Sequence, residues 1–343
     1  DNMNESVKYN RISELDYMRG FALLGIILTN IISIFVLPAP SNYDQASYLK
    51  FIDFFVESKF FTIFTFLFGV GFYIFIRNAK AKQLNSNIVF IRRLVILACF
   101  GILHQMLQPG EALLLYSIIG LILLPCFYFK RSINLAIGLI LLAICLYIGS
   151  KTILPIPYFI LGLAAGQFNI FENIKTKVLI VIVSASGVMS ALSWILLNKS
   201  YVFPTYKFLE DSSNNELINK YIQNKDLYDQ LIVVTSPFIA LFYVSLLLLI
   251  IKVRSFAKIL SPLRLYGRMA LTNYVGQTLL IWLVILCVDS DQVDYMDTLW
   301  ICIAIYILQL LFTSIWLKYF KYGPLEYIWR MGTYWKWFSL IKK

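Results

Sequence analysis

The chain has 343 residues, 59% of them hydrophobic and 14% charged, with a mean hydropathy of +0.73 and a formal net charge of +11. Soluble proteins average roughly 45–50% apolar and about 25% charged residues, so the composition argues against a soluble globular domain. It argues equally against nucleic-acid binding, because the basic residues sit between apolar runs instead of gathering on one folded face.

Crossing a hydrocarbon layer of roughly 30 Å takes about 20 helical residues. Ten apolar runs approach that length, at about 18–37, 60–77, 92–108, 112–129, 132–150, 155–171, 177–197, 230–251, 269–288 and 297–317. They are continuous, whereas barrel strands would be shorter and alternating. The predicted fold is therefore an all-α polytopic membrane protein of about ten transmembrane helices, forming one membrane domain over 1–343. The first run follows a polar segment and is long enough to span, so it reads as a helix that stays rather than a cleaved signal peptide. Only Gln108 to Glu111 separate the third and fourth runs, which predicts a tight helical hairpin. The sixth starts at Pro155 with Pro157 close behind, which suits an oblique path. All five cysteines, Cys99, Cys126, Cys145, Cys287 and Cys302, fall in apolar runs without CxxC or metal spacing; they read as small buried hydrophobes, with neither disulfides nor a metal site.

Orientation follows from the positive-inside bias. With the N-terminus in the cytoplasm, the outer loops hold only Lys50, Lys59, Lys151, Lys199, Lys207, Lys220 and Lys225 of the 30 Lys and Arg. Both termini are thus expected inside. The loop with Asp289, Asp291, Asp294 and Asp297 falls outside and carries no basic residue. The longest connection, 198–230, is a polar extracytoplasmic loop. Its Tyr201, Phe203, Tyr206, Phe208, Tyr221 and Tyr228 suit either a cap packed on the membrane face or a cover over a pocket.

Polar groups inside spans usually face the bundle interior. The only histidine, His104, stands seven residues before Glu111, with Pro109 and Gly110 between them. If the turn folds back over the helix end, Glu111 can orient the imidazole or stabilise its protonated form. Asn30 lies about 17 Å above Arg19 and His104 about 18 Å above Arg92 at 1.5 Å per residue, which puts Asn30 and His104 at similar depth in the outer half. Asp16 and Arg19, three apart, can pair on one helical face, as an anchor or as part of a site. Asn273 and Gln277 form an i, i+4 stripe near Thr272 and Thr278, which serves helix-to-helix hydrogen bonding or a ligand. The second span combines an aromatic ridge with Gly69 and Gly71, which permit close approach by a backbone or a ligand tail.

Five stretches, LDYMRGFALLGIILTN, FFTIFTFLFGVGF, GILHQMLQPGEALLLYSIIG, YGRMALTNYVGQ and YGPLEYIWR, occur in that order along the chain. Together they resemble the YeiB-like bacterial membrane proteins, also described as domain of unknown function 418. That family resembles the transmembrane acyltransferase superfamily, which includes heparan-alpha-glucosaminide N-acetyltransferase. The resemblance implies a protein of the bacterial cytoplasmic membrane that takes an acyl group from cytosolic acyl-CoA, such as acetyl-CoA, and delivers it to an extracytoplasmic sugar, lipid or envelope polymer. One departure stands out. The family commonly has an aspartate after Pro-Gly, where this chain has Glu111.

Acyl transfer needs a base for the attacking hydroxyl or amine, or a nucleophile that carries the acyl group, and imidazole can serve as either. His104, Glu111 and Asn30 are the expected catalytic residues. Asp16, Arg19, Arg92, Arg93, Arg268, Asn273 and Gln277 are the expected acyl-CoA-binding set, arginine suiting phosphates through bidentate contacts; the competing role of the arginines is to set topology. The other function weighed is transport of a small molecule or lipid along the polar stripe. Against it, the sequence has no paired inverted halves of the kind common in secondary transporters. A sensor or scaffold ranks last, as no soluble signalling module is attached. Assembly into homo-oligomers is left open.

Overall fold

The computed structural model describes residues 11–201 and 215–342. Every regular element within them is helical. Phe203, Tyr206 and Phe208, together with Lys8, Lys207 and the side chain of Tyr221, lie outside what it describes.

Each of the ten apolar runs forms a helix. The first three become α1 (Ser13–Ile34), α3 (Phe60–Ala81) and α4 (Ser86–Gln105). A helix not expected from the sequence, α2 (Tyr43–Phe55), precedes α3 and is capped by Asn42, whose side chain accepts from the Gln45 N–H at 2.9 Å. After α5 (Ala112–Ile122) come α6 (Arg131–Ile148), α7 (Pro155–Gln167), the single turn α8 (Ile170–Asn173) and α9 (Thr176–Ser200). The remainder comprises α10 (Asn215–Ile251), two short helices α11 (Arg254–Ile259) and α12 (Ser261–Arg268), then α13 (Ala270–Cys287), α14 (Tyr295–Tyr319) and α15 (Pro324–Tyr334).

With α2 and α3 taken as one stretch, eight stretches among the described residues are long and apolar enough to cross a membrane. The fourth and sixth runs differ from the expectation of full spans. α5 has 11 residues and α7 has 13, which is about 17 Å and 20 Å of helix. α5 gives way at Pro125 to a 3-10 turn, Leu124–Tyr128, because proline cannot donate to an α-helical ladder. α7 begins at Pro155 and stops before Asn169, which is left-handed.

The 198–230 connection is also partly helix. α10 begins at Asn215, and its 37 residues extend about 55 Å, well beyond one hydrocarbon thickness. Tyr201 and Tyr228 meet with ring centroids 5.6 Å apart, and the Tyr201 hydroxyl donates to the Ala46 carbonyl of α2. The acidic loop near 290 has a local purpose. Asp294 and Asp297 form a reciprocal capping box at the start of α14, satisfying N–H groups that a helix end otherwise leaves orphaned.

α1 and α3 form the centre, and α6 and α9 the periphery. The most apolar window of α1 is 56% buried, against 17% in α6 and in α9, so the outer pair presents its apolar faces to lipid. Contrary to the expectation of burial, Cys99 and Cys287 are exposed on such surfaces, while Cys145 and Cys302 are buried. α3 crosses α7 at a backbone contact. A Cβ on Gly69 would lie 2.2 Å from the Phe159 carbonyl oxygen, and one on Gly162 would lie 2.0 Å from that of Phe66. Without a hydrophobic drive between helices in lipid, such close packing of small residues holds neighbours together. Gly162→Ala should therefore lower stability by about 1–3 kcal/mol through overpacking, read as a reduced Tm in detergent; an unchanged Tm would contradict the crossing.

Candidate functional site

The hairpin between α4 and α5 builds a buried hydrogen-bonded hub. α4 ends at His104 and Gln105, Gly110 takes a positive φ of 78°, and the chain turns back so that Glu111 becomes the N-cap of α5. The Glu111 carboxylate accepts from the Leu113 N–H at 2.8 Å and the Leu114 N–H at 2.6 Å. Its Oε2 also lies 3.1 Å from His104 Nδ1. The longer Glu side chain thus does an N-cap's work, favoured by the helix dipole, and still reaches the imidazole. Gly101 makes the space: a Cβ there would lie 2.7 Å from Glu111 Oε1 and 2.5 Å from the Leu114 nitrogen. On its other side, His104 Nε2 lies 2.7 Å from Thr278 Oγ1, which in turn is 2.8 Å from Gln108 Oε1. His104, Glu111, Gln108 and Thr278 are all buried.

Two cavities border this hub and share Tyr274 in their linings. The larger, about 450 Å³, occupies the basic end of the bundle and is lined by Arg11, Arg19, Arg77, Lys82, Arg93, Arg268, Lys321 and Arg330, with Glu326 as the one lining carboxylate among the described residues. Deeper in, its wall becomes apolar and aromatic. Phe75, Phe72, Phe68 and Phe64 succeed one another along α3, facing Leu97, Leu113 and Tyr116. From Lys82 to Phe64 the cavity follows α3 for about 27 Å. The smaller cavity, about 280 Å³, lies toward the opposite end and is lined by Thr29, Asn30, Ser58, Thr62, Gln108, Lys151 and Tyr274 among others. Its cation Lys151 is paired with Glu57 at 2.5 Å. A septum of Phe61, Phe64, Tyr116 and Tyr274, with ring centroids 6.0–6.2 Å apart, separates the two.

Electrostatics in the basic cavity are only partly compensated. Asp16 accepts from Arg11 at 2.6 and 2.7 Å and from Arg19 at 3.2 Å, so one carboxylate serves two guanidinium groups. Arg93 has no ion pair among the described residues; its guanidinium carbon lies over the Trp329 ring, 3.6 Å from the centroid, and over Phe75 at 4.7 Å. Burial lowers the proton affinity of Arg268, and Arg11 lowers it further. Glu326 is bound to α13, accepting from the Thr272 N–H at 3.0 Å and its hydroxyl at 2.5 Å. Burial is the main influence on its carboxyl, raising the pKa above the ordinary value. A ligand suited to this cavity has an anionic head and a slender apolar arm.

The expected residues fall into three groups. Arg19, Arg93 and Arg268 line the basic cavity, with Asp16 behind Arg19, and Asn30 lines the opposite one. His104 and Glu111 meet each other but line neither cavity; a wall of Tyr274 and Gln108 stands between. Arg92 packs on Trp335 at 3.9 Å, away from both. Asn273 bonds the Tyr266 carbonyl and Thr313, and Gln277 bonds the Leu23 carbonyl and the Tyr266 hydroxyl. Both polar side chains tie helices together. The sequence reading did not reach Tyr116, Tyr274, Gln108 or Glu326. All four stand in motifs already singled out, and Glu326 is the only acid in YGPLEYIWR. The tyrosines gave no signal distinguishing them from core aromatics.

Comparison with known proteins adds a family. The model described as "Protein of unknown function (DUF418)" matches residues 175–336. The chain is 43% identical to an "Uncharacterized 39.9 kDa protein in amylase 3'region" of Bacillus acidopullulyticus, over 97% of this chain and 96% of that one. It is 23% identical to YxaH of Bacillus subtilis, over 97% and 96% of the two chains, and 25% identical to YeiB of Escherichia coli, over 93% and 95%. No solved structure matches.

The hub makes a quantitative demand on Glu111. Glu111→Gln keeps the shape but removes the charge from a helix N-terminus and from His104. Stability should drop by about 1–2 kcal/mol, whereas Glu111→Asp should recover part of the loss by capping alone. Thermal unfolding of both variants in detergent checks this, and equal Tm values for wild type and Glu111→Gln would contradict it.

Proposed function

We propose a transmembrane acyl transfer for this chain, which belongs to the DUF418 protein family of membrane proteins. An acyl-CoA, acetyl-CoA or another short-chain thioester, occupies the basic cavity, and an acceptor hydroxyl or amine occupies the opposite one. The observation that carries this reading is the pair of cavities, one with a basic end and one lined by neutral polar groups, that share Tyr274 in their walls. The basic end has the chemistry for a polyphosphate head, since arginine binds phosphate oxygens bidentately and resists deprotonation. Arg19, Arg93 and Arg268 are assigned to the phosphates. The aromatic channel along α3 then accepts the pantetheine arm and carries the thioester to the septum. The orientation that fits places the basic cavity at the cytoplasm, as the positive-inside bias expects. The acceptor is then an extracytoplasmic glycan, lipid or envelope polymer, and the site is the bacterial cytoplasmic membrane.

Within this reading His104 works from behind the cavity wall. Its two nitrogens are engaged by Glu111 and Thr278, and Thr278 holds Gln108, which lines the acceptor cavity with Asn30. His104 and Glu111 thus set the hydrogen bonding and position of the wall groups that hold the acceptor. The same seclusion of His104 supports a second reading, in which an anionic amphiphile is moved between the cavities without covalent chemistry.

The two readings separate in proteoliposomes supplied with [14C]acetyl-CoA and bacterial envelope extract. Acyl transfer predicts label covalently bound to an envelope component. Arg93→Ala should raise the KM for acetyl-CoA about tenfold or more, the loss of one charge-assisted contact. His104→Ala should lower kcat at unchanged KM for acetyl-CoA. Unchanged transfer in His104→Ala removes that residue from the mechanism. Passage of intact labelled donor, with no covalent product, would replace transfer by transport.

A further inference from the structure

Tyr274 is the only described residue that lines both cavities. Its side chain is therefore within reach of a ligand in either cavity. The phenolic oxygen accepts the Ala112 N–H at 3.1 Å, while its own proton is given to none of the described groups, leaving one donor uncommitted. The ring is fixed on both sides, 6.2 Å from Phe64 in a stacked arrangement and 5.0 Å from His104 edge to face. Ala112 is the first residue of α5, so its N–H is held in place by the Glu111 cap. A fixed, buried hydroxyl with a free proton, at the point where two reactants meet, is what stabilisation of a developing oxyanion requires.

Resting on the acyl-transfer reading above, we propose that Tyr274 is a catalytic residue whose O–H donates a hydrogen bond to the thioester oxygen as it becomes an oxyanion. The acceptor's oxygen or nitrogen forms the new bond to the thioester carbon while the carbonyl π pair moves onto oxygen, against the Tyr274 hydroxyl. Collapse of the tetrahedral adduct restores the carbonyl and breaks the C–S bond. The acceptor's proton ends on the departing CoA thiolate, giving free CoA and the acylated acceptor. His104 and Glu111 position this hydroxyl, the first through the ring contact and the second through α5.

The test compares wild type with Tyr274→Phe, which keeps the ring and therefore the septum. Acetyl transfer is followed under single-turnover conditions, alongside equilibrium binding of [14C]acetyl-CoA and thermal unfolding in detergent. Loss of one oxyanion donor typically lowers kcat about 10²–10³-fold. A drop of that order in Tyr274→Phe, with donor affinity within twofold of wild type, a margin of about 0.4 kcal/mol, and Tm within about 3 °C, is the expected result. Transfer within threefold of wild type in the folded, donor-binding variant would overturn the assignment while leaving acyl transfer intact. A wild-type protein that transfers no acetyl group would overturn the acyl-transfer reading itself and this assignment with it, and that failure shows in the wild type alone.

Discussion

The structure turns on one buried carboxylate. Glu111 closes the N-terminus of α5, receives two backbone N–H groups and holds the chain's only imidazole. A buried charge without partners would be severely destabilising, and an imidazole in hydrocarbon without partners would be unfavourable too. Placed together against a helix dipole, each satisfies the other. The consequences travel through the backbone: capping fixes the first turn of α5, α5 directs the Ala112 N–H at Tyr274, and Tyr274 closes the gap between the cavities. Gly101 admits this arrangement because no side chain occupies the place the carboxylate needs.

Charge and apolar surface are then distributed along one axis. At one end, cations outnumber the acids among the described residues, and Asp16 is shared between Arg11 and Arg19. At the other end, neutral hydroxyls and amides dominate and the one lining lysine is already paired with Glu57. Between them runs an aromatic channel in which water gains little. Such a gradient suits a ligand whose head is held at the surface while its reactive end is delivered deep into a region of low dielectric, where a single fixed dipole is worth more than in water.

Much of this was legible in the sequence, and the physical reasons differ residue by residue. The spans were legible because lipid demands long apolar helices and little else resembles them. The His104–Glu111 pair was legible because a histidine and an acid flanking Pro109-Gly110 imply a turn that brings them together. The shortness of α5 and α7 was hinted at by Pro125 and Pro155, but hydropathy alone does not stop at a proline. α2 escaped notice because its apolar face is interrupted by Asp44, Lys50 and Asp53 and is made coherent only by packing against α14 and α10. Asn273 and Gln277 lie on one helical face as expected, yet the structure commits that face to α1, α12 and α14. Tyr116 and Tyr274 were invisible as cavity-lining residues, since an aromatic in an apolar run looks the same whether it fills a core or walls a cavity.

The most direct measurement is a cryo-EM structure of the protein in nanodiscs with a non-hydrolysable acetyl-CoA analogue in which a methylene replaces the thioester sulfur. Acyl transfer at the septum predicts the phosphates among Arg19, Arg93 and Arg268, the arm along Phe72 and Phe68, and the acetyl oxygen within hydrogen-bond distance of the Tyr274 hydroxyl. An analogue bound elsewhere, or held in the basic cavity with its acetyl end turned away from Tyr274, would contradict it.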